Sequence, residues 1–152
     1  MKVIVQRVSQ ATVLIEGAVA GSIQKGLMLL VGFTHTDTEK DILWCVNKLV
    51  NLRIFPDENG AMNNSILSLT HPGILIVSNF TLYGNTEKGL RPNFMQSAPP
   101  SIAEPLYQRF VLEMKKYEQI QIATGQFGAM MEVSLVNDGP VTFVVDSPSV
   151  KA

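Results

Sequence analysis

Leu27-Met28-Leu29-Leu30-Val31-Gly32-Phe33 is a nearly unbroken apolar run, opened by Gly26 and followed by Thr34. It has no polar alternation, so neither face is meant for water. That is the pattern of a central strand covered on both sides. The rest of the chain must therefore provide the cover. Ile74-Leu75-Ile76-Val77 is a second such run, and the strand it opens is expected over Ile74–Phe80.

Residues 2–8 alternate, with Val3, Val5 and Val8 set against Lys2, Gln6 and Arg7, and read as a strand. Thr12–Glu16 reads as the next, with a turn at Gly17 and a return over Ala18–Ile23. A helix follows the central run. Thr36 and Glu39 have the spacing of a capping box, and Ile42, Cys45, Val46, Leu49 and Val50 recur at threes and fours to make one apolar stripe. Arg53–Phe55 looks like a short strand, and Pro56-Asp57-Glu58-Asn59-Gly60 is a turn. Gly84 to Pro100 is rich in Gly, Pro and polar residues and reads as a long surface loop, of a length that is often functional. A second helix is expected from Ser101, with Ser101 and Glu104 as its capping pair and Pro105 in its first turn. Its stripe is Ile102, Leu106, Phe110, Met114 and Tyr117. Residues 129–136 and 141–146 read as strands joined at Asn137–Pro140. There is no repeat, linker or low-complexity segment. The expectation is a single α/β domain over 1–152, with a mixed, mostly antiparallel, barrel-like sheet and two main helices.

Composition narrows the function. The chain has 152 residues, enough to bury a core. Lys and Arg total 12 against 13 acids, for a net charge of -1. A protein that grips long stretches of phosphate backbone needs a larger cationic footprint. An enzyme that touches only the tip of a nucleic acid does not. Lys88, Arg91, Lys115 and Lys116 are the local basic residues and read first as solvated surface charges. No apolar run is long enough to cross a bilayer, and no signal peptide is expected. The single Cys45 fits a reducing compartment and reads as a buried, inert thiol.

Two segments carry the candidate chemistry. Ser78-Asn79-Phe80-Thr81-Leu82 follows the second apolar run, and Asn137-Asp138-Gly139-Pro140-Val141-Thr142 lies between β-rich stretches. Each puts small polar groups where a buried strand ends. On spacing alone Thr81 is a β-branched residue suited to a strand, and Gly139-Pro140 reads equally as an ordinary turn. A Thr hydroxyl needs an activating base, and His35 and His71 show no triad relation to Thr81. Preorganised backbone N–H groups near Phe80 and Thr81 are the remaining means of stabilising an ester's oxyanion. Gly125-Gln126-Phe127-Gly128 precedes Ala129, Met130 and Met131. Phe127 and the methionines suit either the core or packing against an unstacked base. No metal-ligand spacing and no phosphate loop is present, so neither metal nor cofactor is expected.

These segments together resemble the signature motifs of the D-aminoacyl-tRNA deacylases, usually Ser-Gln-Phe-Thr-Leu and Asn-x-Gly-Pro-Val-Thr. The likeness runs from Met1-Lys2-Val3-Ile4-Val5-Gln6-Arg7-Val8 through Gly125–Met130 to about Ser147, with Asn79 where the family usually has Gln. The resemblance implies a cytoplasmic, homodimeric hydrolase. It would cleave D-aminoacyl-tRNA, and mischarged glycyl-tRNA with it, at the 3′-terminal adenosine. It assigns Thr81, Phe80, Ser78 and Asn79 to catalysis. It assigns Gly139, Pro140, Phe127, Met130 and Met131 to substrate binding. It implies a cis Gly139–Pro140 bond that faces the amino acid in the partner's site. Whether the Thr is nucleophile or support stays open. So do two rivals: a paralogue editing tRNA charged with a small L-amino acid, and a noncatalytic RNA-tip binder.

Overall fold

The computed structural model describes residues 1–148, so the end of the expected span 1–152 lies outside the described residues. The elements in chain order are strand β1 (Lys2–Ile15), β2 (Ala18–Ile23), β3 (Gly26–Gly32), helix α1 (Glu39–Asn51), β4 (Phe55–Pro56), β5 (Met62–Asn64), β6 (Gly73–Ser78), α2 (Pro100–Lys115), β7 (Gln121–Thr124) and β8 (Glu132–Asp146). Short 3-10 turns lie at Ile66–Ser68 and Phe80–Tyr83.

β1 organises the sheet. Along one edge it pairs antiparallel with β8 over almost its full length. Along the other it pairs with β3 over residues 2–8 and with β2 over residues 11–15. Beyond β3 the sheet is parallel, β3 to β6 to β7. Gln121 at the start of β7 donates its side-chain amide to the Ser22 carbonyl of β2 at 3.1 Å, bringing the far edge round to the hairpin. The result is a mixed sheet nearly closed into a barrel.

The central run behaves as its composition demands. Leu27, Leu29 and Val31 pack with Val3, Val5, Ile74 and Ile76 against α1 and α2. Met28 faces the other way, into a second cluster with Val8, Val13, Leu75 and Val77. Burying such side chains removes apolar area worth about 25 cal/mol per Å² from water. The α1 stripe is buried as expected: Ile42, Cys45, Val46, Leu49 and Val50. Burial pushes the Cys45 thiol up to about 12, which suits an inert thiol.

Several boundaries differ from the sequence reading, each for a local reason. Residues 2–8 and 12–16 belong to one strand, β1. The alternation slips between Val8 and Ala11, with Ser9 and Gln10 exposed, where β1 changes neighbour from β3 to β2. α1 begins two residues later than the Thr36 cap implies. Asp37 is drawn inside, where it pairs with the buried Met1 amine and accepts the Thr34 N–H. Thr38 and Asp41 then open the helix, the Asp41 carboxylate accepting from the Thr38 N–H and hydroxyl at 2.9 Å each. α2 begins at Pro100, not Ser101, and carries no side-chain cap; a Pro at the first helical position gives up an N–H that is unpartnered there anyway. Pro105 lies past the first turn, so the Ser101 carbonyl loses its usual helical donor.

The α2 stripe holds at Phe110 and Met114, which are buried, and at Leu106 and Tyr117, which pack partly buried against the core, but it also takes in Ala103 and Tyr107. Ile102 is 38% exposed. Tyr107 is admitted because its hydroxyl donates to the Ile76 carbonyl at 3.1 Å, satisfying the polar tip of a mostly apolar ring. The short strand near Arg53 shifts to Phe55–Pro56. Finally, residues 132–146 form one continuous strand. Both halves pair with β1, so Asn137–Pro140 is an irregularity within β8 and not a hairpin turn.

Candidate active site

Ser78 is the last residue of β6 and stands beside Val31 of β3 in parallel register. The Asn79 N–H donates to the Val31 carbonyl at 2.8 Å. The strand stops there, earlier than the expected Phe80, because the chain turns into the 3-10 segment Phe80–Tyr83. Gly32 makes room for that turn: a Cβ on it would sit 3.0 Å from both the Asn79 carbonyl oxygen and the Leu82 Cβ.

Asn79 caps the turn. Its Oδ1 accepts the Thr81 N–H at 3.1 Å and also the Thr81 hydroxyl. This is the local geometry that short Asx side chains form with a backbone two residues on. The first N–H groups of a helical turn have no partner within it. Asn79 satisfies that of Thr81, so that of Phe80 remains for other use. The Thr81 hydroxyl, for its part, is committed to an amide oxygen.

Phe80 is 60% exposed and meets Phe94 edge-on, with ring centroids 5.1 Å apart. Phe94 belongs to the long loop between the turn and α2. Ser97 from the same loop donates its hydroxyl to the Phe80 carbonyl at 2.8 Å. The loop is tied down at the end of β3, where Thr34 donates its hydroxyl to the Gln96 carbonyl at 2.6 Å and the Ala98 N–H donates to the Phe33 carbonyl at 3.0 Å.

These elements enclose a cavity of about 720 Å³. Ser78, Asn79, Phe80 and Thr81 form one side, and Phe127, Met130 and Met131 another. Phe127 is half-buried, its ring 5.8 Å from that of Tyr107, whereas Met130 is 91% exposed at the mouth. Val31, Val77, Ala98 and Ala103 complete the wall, which is overwhelmingly apolar. Among the described residues that line it, none has an Asp, Glu, His, Lys, Arg, Cys or Tyr side chain. Among the described residues, no group of three or more His, Cys, Asp or Glu is arranged to hold a metal ion.

The other two candidates lie elsewhere. Gly139 and Pro140 do not line this cavity; they are exposed on β8, and their peptide bond is cis. Gly139 has φ +151°, a conformation that L side chains rarely adopt. The segment is braced on both sides. Asn137 Oδ1 accepts the Val141 N–H at 2.7 Å, while its amide donates to the Thr142 hydroxyl at 2.9 Å. Arg7 reaches across from β1, donating Nε to the Asp138 carbonyl at 2.8 Å and Nη1 to the Ile54 carbonyl at 2.7 Å.

The sequence reading thus gathered seven residues that the fold does bring together, and two that one chain holds apart. It missed Ser97, Phe94 and Arg7. Arg7 reads in sequence only as one of the polar members of an alternating strand, with Lys2 and Gln6. Ser97 and Phe94 give no signal, because their partner Phe80 is distant in sequence and is met only when the loop folds back.

A family model described as D-Tyr-tRNA(Tyr) deacylase matches residues 4–146. D-aminoacyl-tRNA deacylases are similar over nearly the whole chain. That of Brevibacillus brevis is 54% identical across 97% of this chain and 100% of its own. That of Bacillus mycoides is 52% identical across 97% and 99%. Among solved structures, the c-Myc DNA unwinding element binding protein superposes with a TM-score of 0.89 at 39% identity, covering 97% of this chain and 99% of that one. A protein described as a probable eukaryotic D-amino acid tRNA deacylase shares the fold, with a TM-score of 0.80 at 18% identity over 95% and 98% of the two chains. Matched from β1 to the end of β8, the chain belongs to the D-Tyr-tRNA(Tyr) deacylase family.

Proposed function

We propose that this chain, acting as one domain over 1–152, hydrolyses the ester between a D-amino acid and the 3′-terminal ribose of tRNA. The observation that carries the mechanism is the absence of any titratable side chain among the described residues lining the cavity. An ester hydrolase built this way relies on fixed dipoles. With the Thr81 N–H given to Asn79, the Phe80 N–H is the donor assigned here to the oxyanion that develops when water attacks the ester carbonyl. One such donor is worth roughly 3–4 kcal/mol of barrier in a water-excluded site.

Thr81 is read as a supporting residue. Its hydroxyl donates to Asn79 Oδ1, and an amide oxygen is not a base that can take a proton from a nucleophile. Proton transfer then falls to the attacking water and the substrate's own 2′-hydroxyl. Ser78 ends the strand that presents the turn, and Phe80 adds an apolar wall. Phe127, flanked by Met130 and Met131, offers a surface for the terminal adenine, since unstacked bases commonly stack on aromatic side chains.

The chirality check is assigned to Gly139 and Pro140 of a second copy. They are exposed and lie outside the cavity of their own chain. A two-fold pairing would let each copy serve its neighbour. Their carbonyls would meet the side chain of an L-amino acid but the ammonium of a D-amino acid. Glycine, having no side chain, would pass, so glycyl-tRNA is a substrate in this reading. Recognition by main chain checks handedness more than identity, so many D side chains are accepted. A cytoplasmic setting fits the lone, buried Cys45 thiol.

The test is release of amino acid from D-Tyr-tRNA and L-Ala-tRNA by the purified protein. Hydrolysis of the D ester above the rate in buffer, with L-Ala-tRNA spared, is the expected result. Preference for L-Ala-tRNA would assign the chain to editing of small L-amino acids. Binding of both without hydrolysis would make it an RNA-tip binder.

A further inference from the structure

We infer that Ser97 is a positioning residue for the turn that carries Phe80 and Thr81. The Phe80 carbonyl and the Thr81 N–H are the two ends of a single planar peptide unit. Ser97 grips one end, its hydroxyl donating to the Phe80 oxygen at 2.8 Å. Asn79 grips the other, Oδ1 accepting the Thr81 N–H at 3.1 Å. A planar unit held at both ends cannot rotate without breaking one of the two bonds. Its orientation fixes the Phe80 α-carbon from the C-terminal side; the Phe80 N–H lies in the preceding peptide unit, whose Asn79 carbonyl accepts the Leu82 N–H at 3.4 Å.

Both grips are referred to the same strand. The Asn79 N–H donates to the Val31 carbonyl of β3. Ser97 stands opposite Thr34, just past the end of β3, in an isolated antiparallel bridge. Its own N–H donates to the Phe94 carbonyl at 3.0 Å, and the next residue, Ala98, bonds back to Phe33. The long loop between Gly84 and Pro100 therefore does more than cover the cavity. It carries the second half of a clamp whose first half is local to the turn. Ser97 touches no substrate atom in this account and acts through the Phe80–Thr81 peptide.

The kinetic part of the inference rests on the proposed deacylation; the clamp itself does not. The experiment compares wild type, Ser97→Ala and Ser97→Thr by two readouts. One is hydrogen exchange of the Thr81 amide. The other is kcat and KM on D-Tyr-tRNA. In Ser97→Ala, Thr81 exchange is expected to rise roughly tenfold, although the Asn79 bond to that amide is untouched. kcat should fall about fivefold, with KM within about twofold, as for an interaction that matters in the transition state. Ser97→Thr keeps the hydroxyl and should restore both readouts. Unchanged Thr81 exchange in Ser97→Ala would overturn the clamp. Faster exchange with unchanged kcat, or a Ser97→Thr variant as impaired as Ser97→Ala, would overturn the positioning role. A wild type inactive on D-Tyr-tRNA, with Thr81 exchange still dependent on Ser97, would support the clamp and refute only the deacylase reading.

Discussion

Thr81→Val separates the two mechanisms open to this site. Valine keeps the β-branched shape of threonine and the backbone N–H that Asn79 accepts at 3.1 Å. It removes only the hydroxyl, which donates to Asn79 Oδ1. If that hydroxyl supports the turn, the loss is one hydrogen bond, ~0.5–1.5 kcal/mol. Should all of it appear in the barrier, the rate falls about 2- to 13-fold. If the hydroxyl were the nucleophile, no acyl transfer to the enzyme could occur. Removing a nucleophile of this kind costs on the order of 10⁶ in kcat. The two outcomes are separated by several powers of ten. The assay is single-turnover hydrolysis of D-Tyr-tRNA, with enzyme in excess so that product release does not enter. A fall beyond about a thousandfold, in a variant whose melting temperature matches wild type, would refute the supporting role.

Other predictions follow from the same geometry. Because no described residue lining the cavity titrates, kcat on D-Tyr-tRNA should show no inflection between pH 4 and 6.5, the ordinary range of carboxylates and histidine. A clear fall through that range in a pH–rate profile would point to an acid or base not seen here. The active unit should be a homodimer, since Gly139 and Pro140 do not reach their own cavity. Light scattering at assay concentration checks this, and an active monomer would contradict it. Asp37 and the Met1 amine form an ion pair whose side-chain exposure is 0% on both sides. Asp37→Asn should then cost about 3–5 kcal/mol by leaving a buried charge unpaired, read by urea denaturation. A change under about 1 kcal/mol would mean that the pair adds little.

What the sequence disclosed depended on how local each cause was. The run Leu27–Phe33 and the stripe from Ile42 to Val50 are written in nearest neighbours; the stripe appears as read, and the run forms the central strand with only Phe33 left past its end. The two motif segments were legible as residue types. What could not be read was the partner that reinterprets a local signal. Thr36 and Glu39 have the spacing of a cap, but Asp37 is taken by the Met1 amine, and the helix waits for Thr38. Asn137–Pro140 has the composition of a turn. Yet β1 offers one continuous edge, so the chain runs on through it as a single strand. On α2, Phe110 and Met114 are buried as read, while Ile102 is left exposed and Tyr107 joins the core because the Ile76 carbonyl accepts its hydroxyl. At the site, Asn79 stands where a Gln was expected from the resemblance, and its short side chain makes the bond to Thr81 that gives the turn its shape.

Chiral selectivity is the central property of the proposed activity. Rates of amino acid release from D-Tyr-tRNA and L-Tyr-tRNA, measured with the same preparation, test it without any variant. The prediction is that the D ester is cleaved at least tenfold faster, a barrier difference of about 1.4 kcal/mol or more. Equal rates would contradict it.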